Sequence, residues 1–290
     1  MTAEGAAGDQ RCPLCLNPRF HARPHAFKEC THCEVAFAPE WTGQPEAARA
    51  ALLAHAKGAA LAEGLALNAA ARRNLAFALA RDAAGHVPVT LAAIARTAEL
   101  AQFLHATEPV AGLFAERVVL VDAEQPPPVA RNRVRVLAKP FDGDFAAQRN
   151  RLMAEIHTDW VLQLDTDESL TGESARTLVA LVSEAERLGL AALGLPRRNR
   201  VDGVLSSLYP DIQYRLLHRD IRFAGRVHER PVVPFARTAL ALACPIDHAL
   251  SRARVVARTA QYGAMAADAA RPEDETALLQ PMPARWRQFL

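Results

Sequence analysis

No stretch of the chain reaches the roughly 20 uninterrupted apolar residues that a membrane span needs. The opening Met1-Thr2-Ala3-Glu4-Gly5 also lacks the basic start and apolar run of a secretion signal. These absences predict a soluble protein of the cytoplasm and leave peripheral contact with a membrane surface open. Charge of one sign is missing as well. The chain has 34 Lys and Arg against 32 Asp and Glu, a formal net charge of +2, so no global field draws it toward nucleic acid or anionic lipid. Nucleic acid is therefore not expected as a partner. Aromatic residues are few, at 6%, yet half of the 290 residues are apolar and 23% are charged. That composition excludes a mainly disordered chain and supplies a core for one large domain, or a main domain with a small attachment. No G-x-G-x-x-G follows a candidate strand, which ranks a dinucleotide oxidoreductase low. P-loop, G-x-S-x-G and H-E-x-x-H signatures are missing too, which removes the support for NTPase, serine hydrolase and zinc protease.

Cysteine is scarce, with five residues, but unevenly placed. Four stand as Cys12-Pro13-Leu14-Cys15 and Cys30-Thr31-His32-Cys33, and Cys244 is alone. Four thiolates from two such knuckles can close a tetrahedral shell around one Zn²⁺. A redox C-x-x-C would normally come singly beside a βαβ pattern, and none begins here. The reading is a zinc ribbon over residues 1–45, in which a structural metal supplies folding energy to a segment too short to build its own core. With four cysteines in place, His21, His25 and His32 are expected to face solvent or to stand behind the ligands. The ribbon is a candidate docking module for a protein partner, and Cys244 reads as a buried small apolar residue.

After a breaker-rich exit at Pro39 to Pro45, residues 46–86 are alanine-rich. Leu52, Leu53, Leu61, Leu65, Leu75 and Leu79 fall at roughly helical spacing, broken by Gly58 and Gly64. They read as two or three helices, either a spacer or a layer added to the main domain. From residue 87 to 290 the texture changes to short apolar runs alternating with helical patterns. Candidate strands are Val89 to Ala95, Arg117 to Val121, Val134 to Ala138, Trp160 to Leu164 and Ala191 to Leu195. The clearest helix is Glu173 to Leu188, with Thr171 as N-cap. Continuously apolar strands in such an alternation indicate a parallel sheet covered on both faces, whose ligands bind at the carboxyl ends of the strands.

The strand at Trp160 runs directly into Asp165-Thr166-Asp167-Glu168. Three acids in four residues need counter-charge or an exposed rim. If the chain stays extended, Asp165 and Asp167 point the same way and suit Mg²⁺ or Mn²⁺ bridging to a diphosphate. Without such a role the acids would only cap the following helix.

The flanks carry more. Asp144-Phe145-Ala146-Ala147-Gln148-Arg149-Asn150, followed by Asp159-Trp160-Val161-Leu162-Gln163-Leu164-Asp165-Thr166-Asp167-Glu168, resembles the signature of family 2 glycosyltransferases, in particular the lipopolysaccharide-core β-glucosyltransferases. Tyr209-Pro210-Asp211-Ile212-Gln213-Tyr214-Arg215-Leu216-Leu217, Gly225-Arg226-Val227-His228-Glu229 and Asp247-His248, with a helix to Tyr262, continue the likeness in order. The resemblance spans roughly Pro88 to Ala267. It implies an α/β fold of the GT-A kind, Rossmann-like, with a mostly parallel sheet and helices on both faces, here joined to a small zinc ribbon by a helical linker. It also implies metal-dependent, inverting transfer of a sugar from a nucleotide-sugar donor, a UDP-sugar, to an unidentified acceptor hydroxyl in surface polysaccharide or glycoconjugate synthesis.

By the same resemblance, Asp165 and Asp167 hold the divalent cation, and His228 completes its shell or bonds the diphosphate. Asp122 contacts the base or ribose, and Arg149 meets a phosphate or forms a structural ion pair. Asp211 is the leading general base and Glu229 the alternative; otherwise Asp211 caps a turn or pairs with Arg215. The chain departs from the pattern at Ala95-Arg96-Thr97-Ala98-Glu99, where Asn-Glu is usual, and at Ala123-Glu124-Gln125-Pro126, where a small polar turn is usual. Both changes fall in the nucleotide pocket. They sustain a second hypothesis, a non-catalytic scaffold that keeps the fold and docks partners through the ribbon.

Overall fold

A computed structural model describes residues 10–79, 87–225, 229–257 and 272–290. The N-terminal part is a four-stranded antiparallel sheet with strands in chain order: β1 (Phe20–Ala22), β2 (Lys28–Cys30), β3 (Val35–Phe37) and β4 (Leu65–Leu67). Helix α1 (Pro45–Ala56) connects β3 to β4, and α2 (Ala69–Leu79) follows. The boundary expected at residue 45 therefore runs through one packed unit. Leu52, Leu65, Ala71 and Leu75 share a buried cluster with Val35, Phe37 and the four knuckle cysteines. The leucine spacing from 46 to 79 is not one continuous helical signal, because Gly58 and Gly64 take φ of +105° and +77°. Such backbone suits glycine and turns the chain back so that Leu65 enters the sheet. A Cβ at Gly64 would also run into the Glu40 and Trp41 side chains.

The main domain continues with β5 (Val89–Arg96), α3 (Leu100–Ala106), β6 (Glu116–Asp122), β7 (Val134–Ala138), α4 (Phe145–Ala154) and β8 (Trp160–Gln163). Then come β9 (Glu168–Ser169), α5 (Gly172–Arg187), β10 (Ala192–Val201), β11 (Val204–Leu205) and β12 (Ile212–His218). The chain closes with β13 (Phe223–Ala224), β14 (Arg230–Pro231), β15 (Thr238–Leu240), β16 (Ile246–Leu250) and α6 (Pro272–Leu279). The large sheet has the order β7-β6-β5-β8-β12-β10-β16-β9, with β11 and β15 also paired to β10. β7, β6, β5 and β8 are parallel, whereas β12 runs antiparallel to both β8 and β10.

This is the α/β class the alternation predicts. Period-two alternation places Val119 and Val121 of β6 and Leu162 of β8 on one face, against Leu178, Leu181 and Val182 of α5. Val118, Leu120 and Val161 take the other face, against Leu152 and Met153 of α4. Thr171 caps α5 as expected, its Oγ1 accepting from Ser174 N at 3.1 Å, and Asp144 caps α4 by accepting from Ala147 N at 2.9 Å. Cys244 is fully buried, which pushes its thiol up to about 12. No helix among the described residues is long and apolar enough to cross a membrane.

One topological fact positions the site. Progress along the sheet reverses between β5 and β8: the chain fills β5, β6 and β7 outward on one side and then returns to add β8 on the other. The two connections diverge there and leave a crevice at the carboxyl ends of these strands. Asp122 ends β6 and the Asp165 turn follows β8, so both lie on that rim.

Candidate active site

Asp165 and Asp167 do not continue an extended strand. Thr166 and Asp167 form a turn in which Glu168 N donates to Asp165 O at 3.0 Å. The Glu168 carboxylate closes it from inside by accepting from Asp165 N at 3.0 Å. The two aspartates consequently end in different ion pairs.

Asp165 Oδ1 accepts from Arg149 Nη2 at 2.9 Å, and its Oδ2 is bonded by Arg215 Nη2. Glu168, whose side chain is wholly buried, accepts on Oε1 from Arg215 Nη2 at 2.7 Å and Arg197 Nη1 at 2.9 Å. Arg197 Nε also donates to Asp211 Oδ2 at 2.9 Å, and Arg149 Nε to Glu229 Oε1 at 2.7 Å. Four carboxylates and three guanidiniums thus form one network. Strand alternation assembles it: Arg197 and Asn199 share a face of β10, and Gln213 and Arg215 share a face of β12. Asn199 Nδ2 and Gln213 Nε2 complete the shell of Asp211 at 2.7 and 2.8 Å.

Burial opposes charge on Asp165, and the Arg215 and Arg149 guanidiniums more than reverse it, holding the carboxyl well below the usual carboxylate range. Asp211 is held low in the same way, by Arg197 and Asn199 against its own burial. Burial likewise disfavours the charged form of Arg215, and Asp165 and Glu168 raise its pKa above the ordinary arginine value. Asp165, Asp211 and Arg215 are thus held toward their charged forms, as buried charges can be only when paired.

Asp167 leaves on the other side of the turn. Its Oδ2 meets His248 Nε2 at 3.2 Å and Arg254 Nη2 at 2.8 Å. His248 Nδ1 lies 2.7 Å from Asn199 Oδ1, whose amide nitrogen is already committed to Asp211. No hydrogen bond or ion pair among the described residues falls on Asp167 Oδ1. That oxygen suits a hard cation, since Mg²⁺ is commonly held by one or two carboxylates together with substrate phosphates and water. Asp165 has no oxygen left without an arginine.

Asp122 is exposed, accepts from Phe141 N at 2.8 Å on Oδ1, and stands beside Arg96 in the β5–β6 register. His228 lies outside the described residues, as do Arg226 and Val227 and the end of the helix expected to reach Tyr262. A cavity of about 860 Å³ opens beside the network, lined by Arg149, Asp165, Asp211 and Glu229 and by ribbon residues that include His32. Asp211 itself holds a left-handed φ of +38°, a conformation that a non-glycine residue keeps only when its surroundings over-determine it.

The knuckle cysteines form the second polar centre. Cys12 and Cys33 Sγ are 3.5 Å apart, Cys15 and Cys30 Sγ 3.4 Å apart, and all four lie within 4.8 Å of one another. These separations exclude disulfides and match the edges, about 3.8 Å, of a tetrahedron with metal–sulfur bonds near 2.3 Å. Burial pushes the Cys15 and Cys33 thiols up, whereas Cys30, against burial, is held low by hydrogen bonds from the other thiols and Asn17. Asn17 Nδ2 and His32 N each lie 3.4 Å from Cys30 Sγ. Donors aimed at sulfur suit a thiolate, so the donor set fits Zn²⁺. Among the described residues this is the one group of three or more His, Cys, Asp or Glu side chains gathered so closely.

Sequence reasoning singled out Asp165, Asp167, Arg149, Asp211 and Glu229 but missed Arg197, Arg215, Asn199 and Gln213 as members of the network and Arg254 as the partner of Asp167. The alternative reading of Asp211, a pairing with Arg215, is replaced by a pairing with Arg197 of β10. The available signal was the polar alternation at Arg197 and Asn199 on one strand and at Asp211, Gln213 and Arg215 leading into and along the next.

No family model and no curated protein matches the chain. Among solved structures, a crystal structure of S. aureus TarS aligns with a TM-score of 0.38 at 11% identity, over 61% of this chain and 40% of that one. TarS 1–349 in complex with UDP-GlcNAc aligns with a TM-score of 0.36 at 12% identity, over 55% of this chain and 58% of that one. The UDP complex of TarS 1–349 gives 0.37 at 10%, over 61% and 65%. This chain thus spans between 40% and 65% of the length of the structures it resembles.

Proposed function

We propose that this protein is a GT-A glycosyltransferase that moves a sugar from a UDP-sugar to an acceptor hydroxyl. One observation carries the reading. Sequence blocks separated by up to 80 residues, namely Arg149, Gln163–Glu168, Asp211–Arg215 and Glu229, converge on one hydrogen-bonded network at the switch point of the sheet. The adjoining cavity of about 860 Å³ lies within the range of small-molecule sites.

The charge count assigns roles. Four carboxylates against three arginines leave no surplus positive charge for a diphosphate, so the donor needs further cations. A divalent ion at Asp167, with His228 as a further ligand, would stabilise the charge that develops on the leaving nucleoside diphosphate. Asp122 and Arg96 on the outer rim stand where the nucleoside would bind. Arg149 and Arg215 fix Asp165 and keep the turn before Glu168 closed.

Transfer forms one bond between the acceptor oxygen and the anomeric carbon and breaks the bond to the diphosphate, inverting the configuration. The hydroxyl proton must pass to a carboxylate as attack proceeds. Asp211 is tied by Arg197, Asn199 and Gln213 and held low, which makes it a weak base. Glu229 receives one donor, Arg149 on Oε1, which leaves Oε2 without a described partner. We therefore assign proton acceptance to Glu229 and orientation of the cavity wall to Asp211. Glu229→Gln is expected to lower UDP release from the best UDP-sugar about 100-fold with UDP affinity unchanged. Near-normal turnover would return the base to Asp211, and a product of retained configuration would remove single displacement.

A further inference from the structure

The cavity is not enclosed by the α/β domain alone: Asn17, Arg19, Thr31 and His32 of the two cysteine knuckles line it together with Asp211 and Arg197. The attachment is specific. Arg11, the residue before Cys12, is buried and bridges the first knuckle to the segment leading into Asp211. Its Nη1 donates to Leu16 O at 3.1 Å and to Tyr209 O at 2.8 Å, and its Nη2 donates to Ser207 O at 2.9 Å.

Leu16 belongs to the knuckle turn, which closes through Leu16 N to Cys12 O and Cys12 N to Asn17 O, both at 2.9 Å. Its side chain packs with Leu205, Tyr209, Met282 and Trp286. A second tie joins the other knuckle: Asn74 donates to Cys33 O at 3.3 Å and accepts from Leu240 N of β15 at 2.9 Å.

Each knuckle is thus hydrogen-bonded to the main domain through a carbonyl whose position depends on the cysteine turn. A cation bonded to all four sulfurs would tie the two turns together, whereas without it the sulfurs either repel as thiolates or stand as separate thiols with no metal bond joining the knuckles. The segment from Ser207 to Asp211 has no regular structure of its own, and Asp211 has the strained φ; β10 holds it through Arg197 N to Pro210 O and Asn199 Nδ2 to Leu208 O, Gln280 O holds Ser207 N, and Arg11 and Leu16 hold it from the knuckle side.

The geometry points to Arg11 as a positioning residue for Asp211, and to the zinc knuckles as a wall of the candidate active site, so that metal loading at the four cysteines sets the conformation of residues 205–211. The catalytic half of this inference rests on the transferase reading, whereas the mechanical coupling stands without it. A docking module appended to the outside would show no such dependence.

Hydrogen exchange by mass spectrometry on the full chain tests the coupling in zinc-loaded protein, chelator-stripped protein and the Arg11→Ala variant. Exchange at 205–211 is expected to rise at least about 10-fold in both altered proteins, with α5 unchanged and with one zinc retained in Arg11→Ala. Protection of 205–211 that survives while 12–37 exchanges freely, or survives in Arg11→Ala, overturns it. Should Arg11→Ala fail to fold, Arg11→Lys takes its place, since one ammonium cannot span three carbonyls. The catalytic half is read separately as UDP release from UDP-GlcNAc: the Arg11 variant should lose about 10- to 100-fold in kcat with its UDP dissociation constant unchanged. An unchanged kcat overturns the positioning role. Failure of the unaltered protein to bind UDP would overturn the transferase reading and leave the exchange result to decide the coupling.

Discussion

The two polar centres of this molecule solve burial in opposite ways. At the knuckles, four buried sulfurs face one another and, among the described residues, receive hydrogen bonds from neutral donors, Asn17 and the His32 backbone, and from no cationic side chain. At the rim, Asp165, Glu168, Asp211 and Glu229 are met by Arg149, Arg197 and Arg215 within ordinary hydrogen-bonding distance. The first centre has the donor set and spacing to hold one external cation. The second, four carboxylates against three guanidiniums, is held together by its own side chains. The difference teaches that the same residue class, buried acids, can mark a metal site or its replacement, and that the counting of partners decides which.

The comparison is broken most severely at the knuckles. Structural zinc contributes about 10 to 16 kcal/mol of apparent binding energy in small domains. Purified protein is therefore expected to carry one zinc, and Cys12→Ser with Cys30→Ser is expected to lose both the metal and the exchange protection of residues 12–37. Normal folding of a zinc-free double variant would refute it. Chelation should loosen residues 205–211 and leave the helix packed against the large sheet intact, read as unchanged protection of α5.

The next largest effect is at the rim. Arg215→Met leaves Asp165 and Glu168 buried with one guanidinium fewer, which typically costs about 3 to 5 kcal/mol. Urea unfolding should show that loss. The pair Arg187–Glu184 has the same chemistry but an exposed arginine, and Glu184→Gln should cost under about 1 kcal/mol. Equal losses in the two variants would mean that burial is not what makes the rim network matter.

A smaller, graded effect is expected with pH. Asp165, Asp167 and Asp211 have folded pKa values below those of the unfolded chain. Their contribution is full above the unfolded value near 3.9 and is lost as pH falls below it through the folded values. Unfolding free energies measured at pH 7, 4 and 3 should fall with acid, and fall less steeply in Asp211→Asn. An equal slope in that variant would show that Asp211 is not held low.

Much of this organisation was legible in the chain itself. Cysteine spacing is rigid chemistry, and β5, β6 and β8 announce themselves because strands buried on both faces are apolar through most of their length. Strand β4 was not legible: Leu65-Ala66-Leu67 is too short to separate from an alanine-rich helical pattern, and its place follows from Gly58 and Gly64 and from pairing with β3. β10 was underestimated at five residues because Arg197 to Arg200 look like a polar loop. They are a strand that carries its charges along the site. The partner of Asp211 was not legible either: Arg215 is near it in sequence, but four residues along a strand span about 13 Å. The aspartate therefore finds its arginine on the adjacent strand.

The most direct test of the central claim is calorimetric titration of UDP into the protein with Mn²⁺ and again in excess EDTA, for the unaltered chain and for Asp167→Asn. A metal-dependent transferase site built as described predicts binding with Mn²⁺, at least about 100-fold weaker binding in EDTA, and the same loss in Asp167→Asn without loss of the knuckle zinc. Equal binding with and without the divalent ion would contradict the role of Asp167, and no UDP binding under either condition would contradict the transferase itself.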